Sequence, residues 1–389
     1  MIRPLLAVAM TATLTVVGPG VYAGPPHDAP STATRELRAA MAALVDQPNG
    51  PPGVIVVVQK GHQRRTYSTG VADLESSAPM RPNLHMRVAS TAKAYSGAVV
   101  LSLAERGRVR LNDTVGDRLP WTPRSWHRIT LGQLLHHTSG LPDYSGDEGF
   151  RTYLSNHLRR APSPRRLLRF VADERPEFRP GTRYQYSNSD NIAAALMVED
   201  ATGRSYERML ARQVLRPLGL RGTSLPRGVR MPSPSIRGYQ RADDGTPEDV
   251  TNAFAAGYAW ASGGIVSTPA DQNRFIRAYV GRKLFGRAMQ HRQFAFRTGG
   301  SEPPGPGRNS AGLAVFRYRT RCGTVYGHTG NTAGYTQFMA ATKDGRRSVV
   351  VSTNQQVAPR VVPPKQFARL RTVFEAAVCT ALKRTHGSQ

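Results

Sequence analysis

Ser90-Thr91-Ala92-Lys93-Ala94-Tyr95-Ser96-Gly97-Ala98-Val99-Val100-Leu101-Ser102-Leu103 is the stretch from which both the fold and the chemistry can be read. A helix is predicted from Ser90 through Val99, Val100 and Leu103, ending at Arg106-Gly107. A serine in the first turn lies in the field of the positive end of the helix dipole. Lys93 follows one turn later and comes up on the same face. A serine hydroxyl is a poor nucleophile at neutral pH. A lysine desolvated inside a domain, its pKa lowered, can act as its base. The chain has six lysines, and this one opens an otherwise uncharged helix start. Taken alone, the spacing fits a structural helix equally well.

Working outward, Thr34 to Val45 has helical spacing, with Leu37, Met41 and Leu44 on one face. Val54 to Val58 is a β-branched run that reads as a buried strand, and Gln63 to Val71 as its hairpin partner. Residues 118 to 255 are rich in Pro and Arg, with helical patterns at 130–137, 164–172, 192–202 and 205–215 and no clear strand. Strands return at Tyr335 to Ala341 and Ser348 to Thr353, joined by the turn Lys343-Asp344-Gly345, before a helix from Gln366 to Leu382. The expected fold class is therefore α/β (α+β). An antiparallel sheet flanked by helices is built by both chain ends, residues 24–117 and 256–389, with a mainly helical domain inserted over 118–255.

Arg3, the apolar run Leu5 to Val17 and the small residues up to Ala23 predict a signal peptide over residues 1–23, hence a secreted protein. The apolar run is short for a spanning helix. Two cysteines, Cys322 and Cys379, then read as one disulfide, with two unrelated buried thiols as the alternative. Net charge is +27, but the basic residues are scattered, with no basic tail and no aromatic-interleaved patch. Anionic cell-wall polymer is the favoured anionic partner and nucleic acid is not expected. Adjacent His136 and His137 diverge, no metal-ligand spacing occurs, and no cofactor is expected.

Two further triplets carry chemistry. In Tyr186-Ser187-Asn188, led in by Pro180-Gly181-Thr182, the phenol can exchange a proton with the serine or the leaving group. Its pKa is expected to fall beside a cationic lysine. The Asn188 amide can orient Lys93 and hold a substrate amide. Ser189-Asp190-Asn191 offers a competing register. In His328-Thr329-Gly330, at the head of a strand, Thr329 and Gly330 let a substrate backbone approach, and His328 supplies a polar or positive group.

In this order the three triplets resemble the S-x-x-K, Y-x-N and K/H-T-G boxes of the serine penicillin-recognising family, which includes class C β-lactamases, D-alanyl-D-alanine carboxypeptidases and related esterases. The resemblance runs over nearly all of the mature chain, through Leu134 to Leu141, Pro217-Leu218-Gly219-Leu220, and Ser262-Gly263-Gly264-Ile265-Val266-Ser267-Thr268 with Asp271. It is nearest to the secreted carboxypeptidases, which share Cys322 to Gly330 with one residue fewer here, Lys343 to Val349, and the late Cys379. It implies a β-lactamase/transpeptidase-like fold and an acyl-serine enzyme that cleaves the terminal D-alanine of peptidoglycan stem peptides. Catalysis would fall to Ser90, Lys93, Tyr186, Asn188 and His328. Backbone N–H groups of Ser90 and Asn331 would form the oxyanion hole. Thr329 would hold the substrate carboxylate, and Tyr258 would flank the entrance. β-Lactam antibiotics would be covalent inhibitors of a monomeric enzyme. Esterase or β-lactamase activity on the same fold is the alternative, and a non-catalytic wall-binding or antibiotic-sensing protein a third. Two departures limit the transfer. The carboxylate-holding arginine is replaced by Phe316, with Arg317 one place later, and Asn331 replaces a threonine.

Overall fold

A computed structural model describes residues 31–383. The expected signal peptide over residues 1–23 lies outside the described residues. No helix among those described is long and apolar enough to cross a membrane.

Seven strands form one antiparallel sheet: β1 (Gly53–Lys60), β2 (Gln63–Gly70), β3 (Arg308–Ala311), β4 (Phe316–Thr320), β5 (Gly323–Thr332), β6 (Tyr335–Ala341) and β7 (Arg347–Thr353). Their spatial order is β2-β1-β7-β6-β5-β4-β3, so β1 from the first part of the chain docks on β7 from the last. This is the α+β sheet completed from both ends that the residue pattern implies. β1 is buried from Gly53 through Gln59, which explains a run of β-branched residues without alternation.

Helices cover both faces. On one side α1 (Thr32–Val45) and the C-terminal helix Pro364–Leu382 bury Leu37, Met41, Leu370 and Phe374 against Val54, Val56, Phe338 and Val351. On the other side α2 (Ala92–Glu105) and the helix Pro269–Val280 bury Tyr95, Phe275 and Tyr279 with Val57, Met339 and Val350. Every residue of α2 from Ala92 to Leu103 is buried, so the helix shows no amphipathic stripe. It closes at Gly107, φ 67°, where the Arg108 N–H bonds the Leu103 carbonyl at 2.9 Å. Gly97 lets it approach the turn between β3 and β4: a Cβ there would stand 2.2 Å from Ala314 Cβ.

The regular structure of segment 118–255 is mainly helical, centred on the buried helix Asn188–Thr202, and turns and loops make up most of the rest. It also holds a short hairpin, Tyr239–Arg241 with Pro247–Asp249, which the sequence pattern does not announce. Its arms are too short for alternation to show. Its signal lies in the turn, where the Asp244 carboxylate accepts the Thr246 N–H at 2.8 Å and Gly245 takes φ 84°. Cys322 and Cys379 are joined, tying the β4–β5 turn to the C-terminal helix.

Candidate active site

Ser90 stands in a short 3-10 turn, Ala89–Thr91, that runs straight into α2. Ala89, just before it, has φ 50°, a left-handed backbone that costs a non-glycine residue about 1–3 kcal/mol. Lys93 is fully buried one turn on. Its Nζ lies 3.2 Å from Ser90 Oγ, 2.7 Å from Asn188 Oδ1 and 2.8 Å from the Ser262 carbonyl. Burial pushes the ammonium down from 10.5 to about 7, although Asp143, Glu302 and Asp190 oppose the shift. Near neutrality a large share of Lys93 is therefore an unprotonated amine within reach of the serine proton.

Asn188 opens the buried helix, and its orientation is set by Asp143, a residue the sequence reading passed over. The Asp143 carboxylate accepts the Asn188 backbone N–H at 3.1 Å and its Nδ2 at 2.9 Å. With Nδ2 held there, Oδ1 faces Lys93. Asp143 lies in Gly140-Leu141-Pro142-Asp143-Tyr144, directly after the quoted 134–141 segment. A lone acid after a proline gave no chemical signal. The competing register is closed, because Asn191 Nδ2 donates to Ser96 and Asp190 is engaged by His137 and Ser139.

Tyr186 is where the sequence reading needs correction. The lysine lies over the face of its ring, 4.8 Å from the centroid, and not against its hydroxyl. Burial drives the phenol well above its ordinary range, partly offset by the Ser90 hydroxyl beside it. Tyr186 is thus a neutral proton donor and not a phenolate. Behind it the His137 ring packs at 4.5 Å, with Nδ1 2.8 Å from Asp190 Oδ2. Burial lowers His137 to about 3 and raises Asp190, so the pair is net neutral and adds no cation.

His328 also departs from expectation. It is completely buried, its Nδ1 lies 2.5 Å from the Thr329 carbonyl, and its Nε2 has no hydrogen-bond partner among the described residues. Burial and the nearby Lys93 hold it well below its ordinary pKa. It is therefore a neutral group presenting a bare Nε2 acceptor, its ring 6.4 Å from that of Tyr186.

Strand register sorts the residues around His328. His328 pairs with Met339, which pairs with Val350, on the α2 side. Thr329 pairs with Phe338 and Val351 on the opposite side, as pleating demands. Thr329 is fully buried there, and its hydroxyl donates to the Pro303 carbonyl at 2.5 Å. That hydroxyl is not available to a substrate carboxylate, which corrects the role expected of it. Gly330 returns to the serine: a Cβ at this position would lie 2.7 Å from Ser90 N and 2.8 Å from Thr91 N. The close approach requires glycine. Asn331 turns its side chain to Gln356, 2.5 Å away. Because β4 pairs with β5 no further than Gly327, the outer edge of His328–Thr332 has no strand partner among the described residues. An extended substrate backbone can align on such an edge.

Two other residues take structural positions. Tyr258 is buried, its hydroxyl bonding the His157 carbonyl at 2.6 Å, so it packs inside and does not flank an entrance. Phe316 is buried with its ring 4.9 Å from His328, while Arg317 sits over Phe296 and donates to Ser310 at 2.9 Å. Neither supplies a cation to the serine. No cluster of metal-ligating side chains occurs among the described residues.

A protein-family model described as Beta-lactamase matches residues 37–372, nearly the whole described chain. The chain belongs to the beta-lactamase family. A serine hydrolase of this family accounts for the Ser90–Lys93–Tyr186 geometry. A D-stereospecific amidohydrolase from a Streptomyces species has the same fold, with a TM-score of 0.77 at 27% identity, covering 89% of this chain and 98% of that one. The penicillin binding protein from Bacillus halodurans shares the fold, with a TM-score of 0.69 at 20% identity, over 83% of this chain and 96% of that one. Among curated proteins, the D-alanyl-D-alanine-carboxypeptidase/endopeptidase AmpH of Escherichia coli is 28% identical over 292 residues, 73% of this chain and 70% of that one. Protein flp of Staphylococcus aureus is 27% identical over 194 residues, but the match spans 38% of its length.

Proposed function

We propose that this beta-lactamase-family hydrolase is an amidohydrolase. It would act outside the cytoplasm on small or peptidic acyl donors through an acyl-Ser90 intermediate. The single observation that carries the chemistry is Lys93, buried without a salt bridge among the described residues and shared between Ser90, Asn188 and the Ser262 carbonyl. Unprotonated Lys93 takes the Ser90 proton, and Ser90 Oγ attacks the substrate carbonyl. Backbone N–H groups of Ser90 and Asn331 are suited to the developing oxyanion, given how closely Gly330 lies to the Ser90 amide. As the C–N bond breaks, the neutral Tyr186 phenol protonates the leaving amine and is reprotonated from Lys93, with His328 Nε2 as a nearby acceptor. Water then cleaves the acyl ester and restores the serine. The disulfide and the apolar N-terminal run support export.

For the substrate, two readings stand. A D-configured amide is favoured by the likeness to the Streptomyces amidohydrolase and by the lack of a cation where a terminal carboxylate would sit. A secreted, penicillin-sensitive D-alanyl-D-alanine carboxypeptidase, working as a monomer, is favoured by the likeness to AmpH. The test compares turnover of a D-amino-acid amide, a D-Ala-D-Ala peptide, a cephalosporin and a short-chain ester. The amidohydrolase reading expects the amide and the ester to be hydrolysed well and the peptide poorly. Efficient release of terminal D-alanine with an inert amide would reverse the order.

A further inference from the structure

The Tyr186 phenol is held by its ring and its backbone. The Ser90 hydroxyl is near enough to lower its pKa, but no hydrogen bond of ordinary geometry fixes the Tyr186 hydroxyl among the described residues. His137 supplies the hold at three points. The Gln185 N–H donates to the His137 carbonyl at 2.9 Å. The Ser187 N–H points to His137 Nδ1 at 3.4 Å. The imidazole packs on the Tyr186 ring, with centroids 4.5 Å apart. The residues on both sides of Tyr186 are thus tied to one histidine, and the ring between them rests on it.

His137 is itself fixed. Its φ is 55°, in the left-handed region that histidine enters more readily than most non-glycine residues. Its Nδ1 lies 2.8 Å from Asp190 Oδ2. The other Asp190 oxygen accepts the Ser139 hydroxyl, and Ser139 Oγ accepts the Leu141 N–H at 2.9 Å. All three side chains are buried. Asp190 stands two residues past Asn188 on the helix Asn188–Thr202, so this chain of bonds joins the Tyr186 segment to the helix that presents Asn188 to Lys93. His136 takes no part: its Nε2 turns to the Ala311 carbonyl at 3.0 Å. Neither His137 nor Asp190 hydrogen-bonds Ser90, Lys93 or the Tyr186 hydroxyl among the described residues.

We infer that His137, anchored through Asp190 and Ser139, is a positioning residue for Tyr186, setting where the phenol stands when the leaving amine is protonated. This role rests on the proton donation proposed above for Tyr186 and deepens it. A phenol that tilts away would still leave Ser90 and Lys93 paired. The loss should therefore fall on leaving-group protonation and not on attack by the serine.

The experiment compares D-alanine p-nitroanilide with p-nitrophenyl acetate in wild type, His137→Asn, Asp190→Ala, Tyr186→Phe and the double variant His137→Asn/Tyr186→Phe. A nitrophenolate leaves without a proton, whereas an anilide nitrogen needs one. The anilide-to-ester ratio of kcat/KM therefore reports the donor, and it is independent of the fraction of enzyme that is folded. Asparagine tolerates the left-handed backbone and keeps the carbonyl that Gln185 uses. His137→Asn should lower the ratio about 10- to 100-fold, with the ester changed less than about threefold. Asp190→Ala keeps the ring and removes its anchor. It should shift the ratio in the same direction, and it carries the test if His137→Asn does not fold. Adding His137→Asn to Tyr186→Phe should change the ratio by less than about twofold, because the group being positioned is already gone. An equal loss on both substrates, or a loss in ratio that multiplies with that of Tyr186→Phe, overturns the inference alone. If Tyr186→Phe leaves the ratio unchanged, or wild type does not cleave the anilide, the donor role of Tyr186 falls and the inference falls with it.

Discussion

At the residue scale, the site works by giving neighbouring groups opposite protonation tendencies. Lys93 is lowered to about 7 and Tyr186 is raised, which suits the amine to act as base and the phenol as donor in the proposed reaction. The sign of the pH dependence follows. The amine is competent only when unprotonated, so acylation should fall as pH drops below about 7 and level off above it, read from kcat/KM on a neutral ester. Lys93→Arg, which cannot deprotonate, should lose about 100-fold or more and the acid limb with it. Asp143→Asn removes a charge that opposes the lowering of Lys93, so its acid limb should move to lower pH. A rate loss with an unmoved limb would mean that Asp143 acts through packing alone. Ser90, Lys93, Tyr186, Asn188 and His328 are legible in the sequence because each sits in a short spaced box. Asp143 is not, since a single acid in a loop has no periodicity and its role arises from residues distant in sequence. The electrostatic state of Tyr186 and His328 was also out of reach, because burial decides it and spacing does not report burial.

At the element scale, three segments meet at the serine: the start of α2, the start of the helix Asn188–Thr202, and β5. Strands and helices near both chain ends are visible as β-branched runs and apolar faces. The residues that α2 meets are not, because a helix buried all round shows no stripe. Thr329 shows how one strand position inverts a role. Alternation puts its hydroxyl behind the sheet, while its neighbours His328 and Gly330 face the serine. The approach of β5 to α2 is testable at Gly330. A methyl group there meets Ser90 N at 2.7 Å and the Val88 carbonyl at 2.8 Å. Gly330→Ala should push the strand off the serine, lowering kcat/KM by about 10- to 100-fold, since misplacement near 1 Å costs that much. The melting temperature should change by only a few degrees. Unchanged activity would mean that this strand does not frame the reacting carbonyl.

At the scale of the whole molecule, the two chain ends close one sheet, and the Cys322–Cys379 bond holds the last helix to it across a separation of 57 residues. Reduction should cost about 4 kcal/mol in the chain-entropy picture. It should appear as a lower denaturant midpoint, with activity below the transition kept, because neither cysteine approaches Ser90. Loss of activity without loss of stability would contradict that separation of roles. The charge of +27 is plain in the sequence, and Lys93 is the basic residue that reaches the serine. The other carriers of the charge are spread along the chain, and five of them, Arg282, Arg287, Arg292, Arg297 and Lys343, line two cavities of about 510 and 620 Å³ beside the helix Arg287–Gln293. All of these activity expectations rest on acylation of Ser90. Its most direct test is intact mass followed by fragmentation of the tryptic peptide Val88–Lys93 after acid-quenched incubation with benzylpenicillin. One added acyl group is expected, located on Ser90 and not on Thr91, and none in Ser90→Ala. An adduct on any other residue, or an unmodified protein, would contradict it.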